Sequence, residues 1–274
     1  MSYLEREFVL AGIPVHYLES QGGPPGALPL LLLHGSGPGA STLGNWRRIL
    51  EPLAAAHPVF AMDLIGFGRS GRKPSPPYFD MPLWLQQCRE MIARIPGERI
   101  GIIGHSLSGA LALKLAAAEP RVAKVLATGT MGASFVVNEW TLRTWTFPKT
   151  RAELRLTAQG LIHDPALIDE AYLDGRMQVL QAGDYETYFS DMFPGDKQRF
   201  ADAALLTADE IARIRCDVTL VHGRNDRAFP AEPLTLTLAR QIPHADVVLL
   251  GRCSHSIAME HPDKLLAAAG ALFH

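Results

Sequence analysis

The stretch Ile102-Ile103-Gly104-His105-Ser106-Leu107-Ser108-Gly109-Ala110 carries an apolar strand straight into a turn of small residues and out into a helix. A serine in that context fits a nucleophile elbow, where a strained strand-to-helix turn lifts the hydroxyl clear of the sheet. The match to G-x-S-x-G is incomplete, because Ser108 stands where the second glycine is expected and glycine follows at 109. A small residue at 108 still lets the helix approach the strand. On the stretch alone, a phosphate-cradling glycine turn or a plain tight turn are the competing readings.

A nucleophilic serine needs a base, and the base needs a group that fixes its tautomer and stabilises its cation. Downstream, the apolar run 218–221 ends in His222-Gly223-Arg224-Asn225-Asp226, and the run 247–250 ends in Gly251-Arg252-Cys253-Ser254-His255. Parallel strands bring their C-terminal ends to one sheet edge. Ser106, Asp226 and His255 are therefore expected to converge as the catalytic residues, in the chain order of α/β hydrolases. Asp217 is a rival acid but precedes its strand and falls on the wrong edge; Asp63 follows its strand and is the weaker alternative. His34 and His105 also sit at strand ends. Upstream, His34-Gly35-Ser36-Gly37-Pro38-Gly39 follows the apolar run Leu30–Leu33. Backbone N–H groups in such a loop, with that of the residue after the nucleophile, can face an oxyanion, which names Ser36 and Leu107. A dinucleotide site is the poorer reading, since the spacing is not G-x-G-x-x-G.

Further apolar runs of strand length lie at Val59–Met62, 100–103 and 125–128, alternating with helix-length segments at 83–94, 111–118 and 233–241. Runs apolar on both faces predict a mostly parallel central sheet flanked by helices, an α/β fold. The runs 7–10 and 15–18 read as a hairpin, and Gln21-Gly22-Gly23-Pro24-Pro25-Gly26 as a loop. Between about 133 and 208 the alternation stops. That segment holds Trp140, Trp145, Phe147, Tyr172, Tyr185, Tyr188, Phe189 and Phe193 at helix-like spacing. The expected organisation is a hydrolase-type core over 1–132 and 209–274, with 133–208 inserted between two strands as a helical lid.

The chain has 274 residues, with 26 Lys and Arg against 28 Asp and Glu, a net charge of −2. So balanced a charge gives no electrostatic case for nucleic acid or an anionic membrane as partner. No run approaches the ~18 apolar residues of a membrane span, and the opening Met1-Ser2-Tyr3-Leu4-Glu5-Arg6-Glu7 lacks a secretory core. Cys88, Cys216 and Cys253 are too few and too scattered for a disulfide framework or a zinc site. No metal-ligand spacing or nucleotide fingerprint appears. The expectation is a cytoplasmic enzyme of a small-molecule substrate without metal or organic cofactor, monomeric or forming a homodimer or higher homo-oligomer.

Taken together, nearly the whole chain resembles the meta-cleavage product hydrolases, the C–C bond hydrolases of bacterial aromatic catabolism within the α/β-hydrolase fold. The matching stretches are His34-Gly35-Ser36-Gly37-Pro38-Gly39-Ala40-Ser41, Asp63-Leu64-Ile65-Gly66-Phe67-Gly68-Arg69-Ser70, the elbow, and His222-Gly223-Arg224-Asn225-Asp226. In the lid they are Gly132-Ala133-Ser134-Phe135 and Asp191-Met192-Phe193-Pro194 with Gln198-Arg199. The resemblance implies a 2-hydroxy-6-oxo-hexa-2,4-dienoate-type substrate. It also implies that Arg176 binds the carboxylate end, that Asn45 assists, and that Gly35 and Gly37 line the pocket. Two positions bordering that pocket depart from the family: His105 stands in place of its usual asparagine, and Ser256 in place of its usual tryptophan. A carboxylesterase or lactonase with the same triad is the alternative these residues leave open, with a slow hydrolase-fold receptor behind it.

Overall fold

Leu30-Leu31-Leu32-Leu33 is fully buried at every position, and a strand can be so only if both faces of its sheet are covered. In the computed structural model, which describes residues 3–20 and 22–274, this run is β3 at the middle of an eight-stranded sheet. Met1, Ser2 and Gln21, read above as part of the N-terminal segment and of a loop, lie outside the described residues. The order is β1-β2-β4-β3-β5-β6-β7-β8. The strands are β1 Tyr3–Leu10, β2 Ile13–Ser20, β3 Leu30–Leu33, β4 Val59–Met62, β5 Ile100–His105, β6 Val122–Thr128, β7 Asp217–Gly223 and β8 Ala245–Leu250. β1 and β2 form the expected hairpin and join the sheet antiparallel to β4; every pairing from β4 through β8 is parallel.

Alternation along the strand sends successive leucines of β3 to opposite faces. Leu31 and Leu33 pack with Trp84, Met91 and Leu111, whereas Leu30 and Leu32 pack with Leu50, Leu53, Leu265 and Phe273. The first half of the chain holds α1 Thr42–Trp46 and the helices that carry most of these partners, α2 Leu50–Ala56, α3 Met81–Arg94 and α4 Leu107–Ala118; Leu265 and Phe273 come from the last helix. Six more lie between β6 and β7: α5 Glu139–Thr144, α6 Arg151–Leu161, α7 Glu170–Leu180, α8 Tyr185–Met192, α9 Gln198–Ala203 and α10 Ala208–Arg213. α11 Thr237–Gln241 connects β7 to β8, and α12 Ile257–Glu260 and α13 Pro262–Phe273 close the chain.

Three boundaries differ from the sequence reading, each for a local reason. α3 starts two residues early because the Asp80 carboxylate caps it, accepting from Leu83 N–H. α4 starts four residues early because the elbow delivers the chain directly into it. The helix expected over 233–241 opens as a π-turn, Glu232–Leu236, and becomes α-helical only at Thr237. β8 also departs from two-sided cover: it is an edge strand, and Asp246 and Val247 are exposed.

Candidate active site

Ser106 stands between β5 and α4 with φ +57° and ψ −120°, a left-handed conformation that a side chain adopts only under constraint. Backbone bonds lock it there: Ser106 N–H donates to Thr128 O at 2.9 Å, and its carbonyl accepts from Met131 N–H at 3.1 Å. The elbow's missing second glycine also finds its explanation. The close approach falls at Gly109 instead, where a Cβ would meet Thr130 Oγ1 at 2.2 Å. Ser108 meanwhile donates its hydroxyl to His34 O, tying the elbow to the glycine loop behind β3.

Asp226 and His255 come from the ends of β7 and β8, and both are buried. His255 Nδ1 lies 2.6 Å from Asp226 Oδ2. A carboxylate can only accept, so a ring proton sits on Nδ1, the arrangement in which Nε2 is the nitrogen left to take a proton from a nucleophile. Asp226 Oδ1 accepts from Phe229 N–H at 2.8 Å. Burial alone would push the Asp226 carboxyl up, but the neighbouring His255 and the hydrogen bonds of His222 and His255 hold it well below the usual carboxylate range. The Phe229 ring stacks on His255, centroids 4.5 Å apart and 27° between planes. Gly129 has φ +52°, and a Cβ there would sit 2.9 Å from His255 Nδ1, so only glycine leaves room for the imidazole.

The two rival acids lie elsewhere. Asp217 is exposed at the far end of β7, 3.9 Å from Lys124. Asp63 is buried as a turn organiser, accepting from Thr42 N–H at 2.7 Å and Arg69 N–H at 2.9 Å, with His16 Nδ1 at 3.1 Å.

Ser106 and His255 line one cavity of about 760 Å³, together with Gly35, Ser36, Gly37, Asn45, His105, Arg176 and Ser256. Leu107 lies behind it, fully buried at the start of α4. Asn45 Oδ1 accepts from Gly35 N–H at 3.3 Å, which orients the loop. His105 Nδ1 is 3.1 Å from Thr128 O and 3.0 Å from Thr128 Oγ1. The carbonyl is a pure acceptor, so the Nδ1 of His105 carries its proton. Burial first, and then the neighbouring His255, keep this imidazole neutral by lowering its proton affinity well below the ordinary histidine value. The Ser256 N–H is taken by Leu161 O at 2.9 Å.

Residues from the inserted helices grip the glycine loop from above. Trp145 Nε1–H donates to Ser36 Oγ at 3.2 Å, Tyr185 Oη accepts from Gly39 N–H at 3.0 Å, and Arg176 Nη1 donates to Gly39 O at 2.7 Å. Trp145 and Tyr185 appear in the sequence only as aromatics of helical spacing; nothing local to them signals the loop they hold. Phe229 and His222 likewise carry no signal of their own in the sequence, although His222 opens the stretch that ends at Asp226. Among the described residues no group of three or more His, Cys, Asp or Glu side chains is placed to hold a metal ion. None of the described helices is long and apolar enough to cross a membrane.

Fold and site together define an α/β hydrolase. The model of the alpha/beta hydrolase family matches residues 30–269. The chain is 30% identical to a 2-hydroxymuconate semialdehyde hydrolase of Pseudomonas sp. (strain CF600), over 97% of this chain and 92% of that one. A meta-cleavage product hydrolase of Pseudomonas fluorescens IP01 superposes with a TM-score of 0.89 at 26% identity, covering 96% of this chain and 95% of that one. The 2-hydroxy-6-oxo-6-phenylhexa-2,4-dienoate hydrolase of Rhodococcus sp. strain RHA1 gives 0.88 at 26% identity, covering 98% of each. The chain belongs to the meta-cleavage product hydrolases of the alpha/beta hydrolase family.

Proposed function

We propose that this protein is a serine-dependent hydrolase that cleaves a C–C bond in a 2-hydroxy-6-oxo-hexa-2,4-dienoate-type product of aromatic ring fission. The observation that carries it is the buried Asp226–His255 pair, 2.6 Å apart, sharing a cavity with the strained Ser106. His255 mediates the proton transfer that turns the dienol into a ketone. Ser106, or a water activated by His255, then attacks the 6-carbonyl. The N–H groups of Ser36 and Leu107, which have no acceptor among the described residues, receive the oxyanion. The C–C bond breaks as the enol-acid fragment leaves with its electron pair and takes a proton from His255. On the serine route water then hydrolyses the acyl–Ser106 ester, its second proton passing through His255 back to Ser106; on either route the hydroxyl of water ends on the carboxylic acid product.

Arg176 fits the role of carboxylate anchor by charge and place, reaching the cavity from α7. Residues 133–208 serve as the lid over a core of 1–132 and 209–274. Three unpaired cysteines suit a reducing compartment, and we place the enzyme in the cytoplasm. A second reading, esterase or lactonase, is favoured by His105, which offers a neutral imidazole where the family usually places an asparagine amide. A panel of coloured ring-fission products assayed beside nitrophenyl esters separates the two. Preference for a dienoate by at least tenfold in kcat/KM is expected; preference for esters overturns the C–C assignment.

A further inference from the structure

We propose that His222 is a positioning residue of the triad: its single N–H fixes the 226–229 turn and polarises the same Asp226 oxygen that binds His255. The inference rests on the reading of Asp226 and His255 as catalytic partners given above. His222 is wholly buried at the end of β7, one turn of chain before Asp226. Its Nε2 lies 2.8 Å from Phe229 O and 3.2 Å from Asp226 Oδ2. Neither oxygen can donate, so the proton must sit on Nε2. Its Nδ1 lies 2.6 Å from Thr235 Oγ1, whose hydroxyl then donates to it. Thr235 is fully buried, and its hydroxyl, able to donate or accept, follows the tautomer that the Phe229 carbonyl imposes on the other side of the ring.

This arrangement does more than satisfy a core histidine. Phe229 is held at both backbone atoms, its carbonyl by His222 and its N–H by Asp226, and its ring is the stacking partner of His255. One imidazole therefore sets the carboxylate and the ring that together orient the other imidazole. The other titratable groups nearby are His105, with its ring centroid 4.6 Å from that of His255, and the Cys253 thiol with Glu260 behind it. Among the described residues, Asp226 Oδ2 has no polar side-chain contact other than His222 and His255.

The N–H of His222 draws negative charge away from His255. Without it, Oδ2 holds the imidazolium more strongly, and a base that stays protonated to higher pH is inactive over a wider acid range. His222→Leu is expected to move the acid limb of the kcat/KM profile upward by about half to one pH unit, a three- to tenfold loss on the acid side. His222→Gln, which restores an N–H donor, is expected to return the limb most of the way. A merely structural role would lower the plateau and leave the limb in place. Heteronuclear NMR on the wild-type protein supplies a test that needs no substrate and no folded leucine variant: the His222 proton must be found on Nε2. An unmoved limb in both variants, or a proton on Nδ1, overturns the proposal. If Ser106→Ala stays active, the failure belongs to the triad reading instead.

Discussion

Ser106 keeps its left-handed backbone because bonds to Thr128 and Met131 leave it no other, and the strain puts a hydroxyl rather than a packing group at the cavity floor. Ser106→Ala removes little packing and the whole proposed nucleophile. Turnover should fall by about 10⁴- to 10⁶-fold while the circular dichroism spectrum and melting midpoint stay near wild type. Arg176 separates the two substrate readings. A substrate carboxylate would lose a permanently charged partner in Arg176→Gln, at about 30- to 1000-fold in kcat/KM, while a neutral ester should scarcely notice. Because Arg176 also donates to Gly39 O, equal losses on both substrates would assign it to holding the loop. The residues at strand ends were legible in the sequence because each follows an apolar run that fixes its place. Arg176 was reached only through resemblance, since a single arginine on a helix carries no positional signal of its own.

At the scale of elements, the strands were readable because buried parallel strands leave continuous apolar runs, as in β3 and β4. Their ends were not. β5 runs on through Gly104 and His105, polar or flexible residues whose strand geometry comes from pairing with Ala127 and Thr128. The contact between α5 and the glycine loop was equally hidden, because Trp145 meets Ser36 across 109 residues of chain. Trp145→Phe tests that contact. It keeps an aromatic face stacked on Phe193, now 5.5 Å away and nearly parallel, and deletes the N–H to Ser36. Loss of that one hydrogen bond should cost about 1 kcal/mol of stability in urea titration. A fall in kcat out of proportion to it would show that the bond sets the loop for catalysis.

The whole molecule depends on pH through its buried carboxylates. Burial would raise Asp63, but hydrogen bonding with His16, the nearby His34 and two backbone N–H groups bring it down to about 2. Asp226 is held low for related reasons. A carboxyl lowered by folding contributes stability that is fully present above its ordinary range and is lost as pH falls toward its folded value. The urea midpoint should therefore decline between about pH 5 and pH 2, with Asp63 alone accounting for about 2 kcal/mol. Asp63→Asn should flatten that decline; an unchanged slope would place the acid sensitivity elsewhere.

The grip of Trp145, Arg176 and Tyr185 on the loop 36–39 bears on heredity. The two partners are far apart in the gene, yet these hydrogen bonds hold one against the other. A recombinant that takes its helical insertion from one parent and its glycine loop from another inherits a roof shaped for a floor it lacks. Exchange between lineages should succeed where both segments travel together and fail where a crossover falls between them. New specificities in such an enzyme would then arise by coordinated change at two distant sites, more readily than by swapping the roof alone.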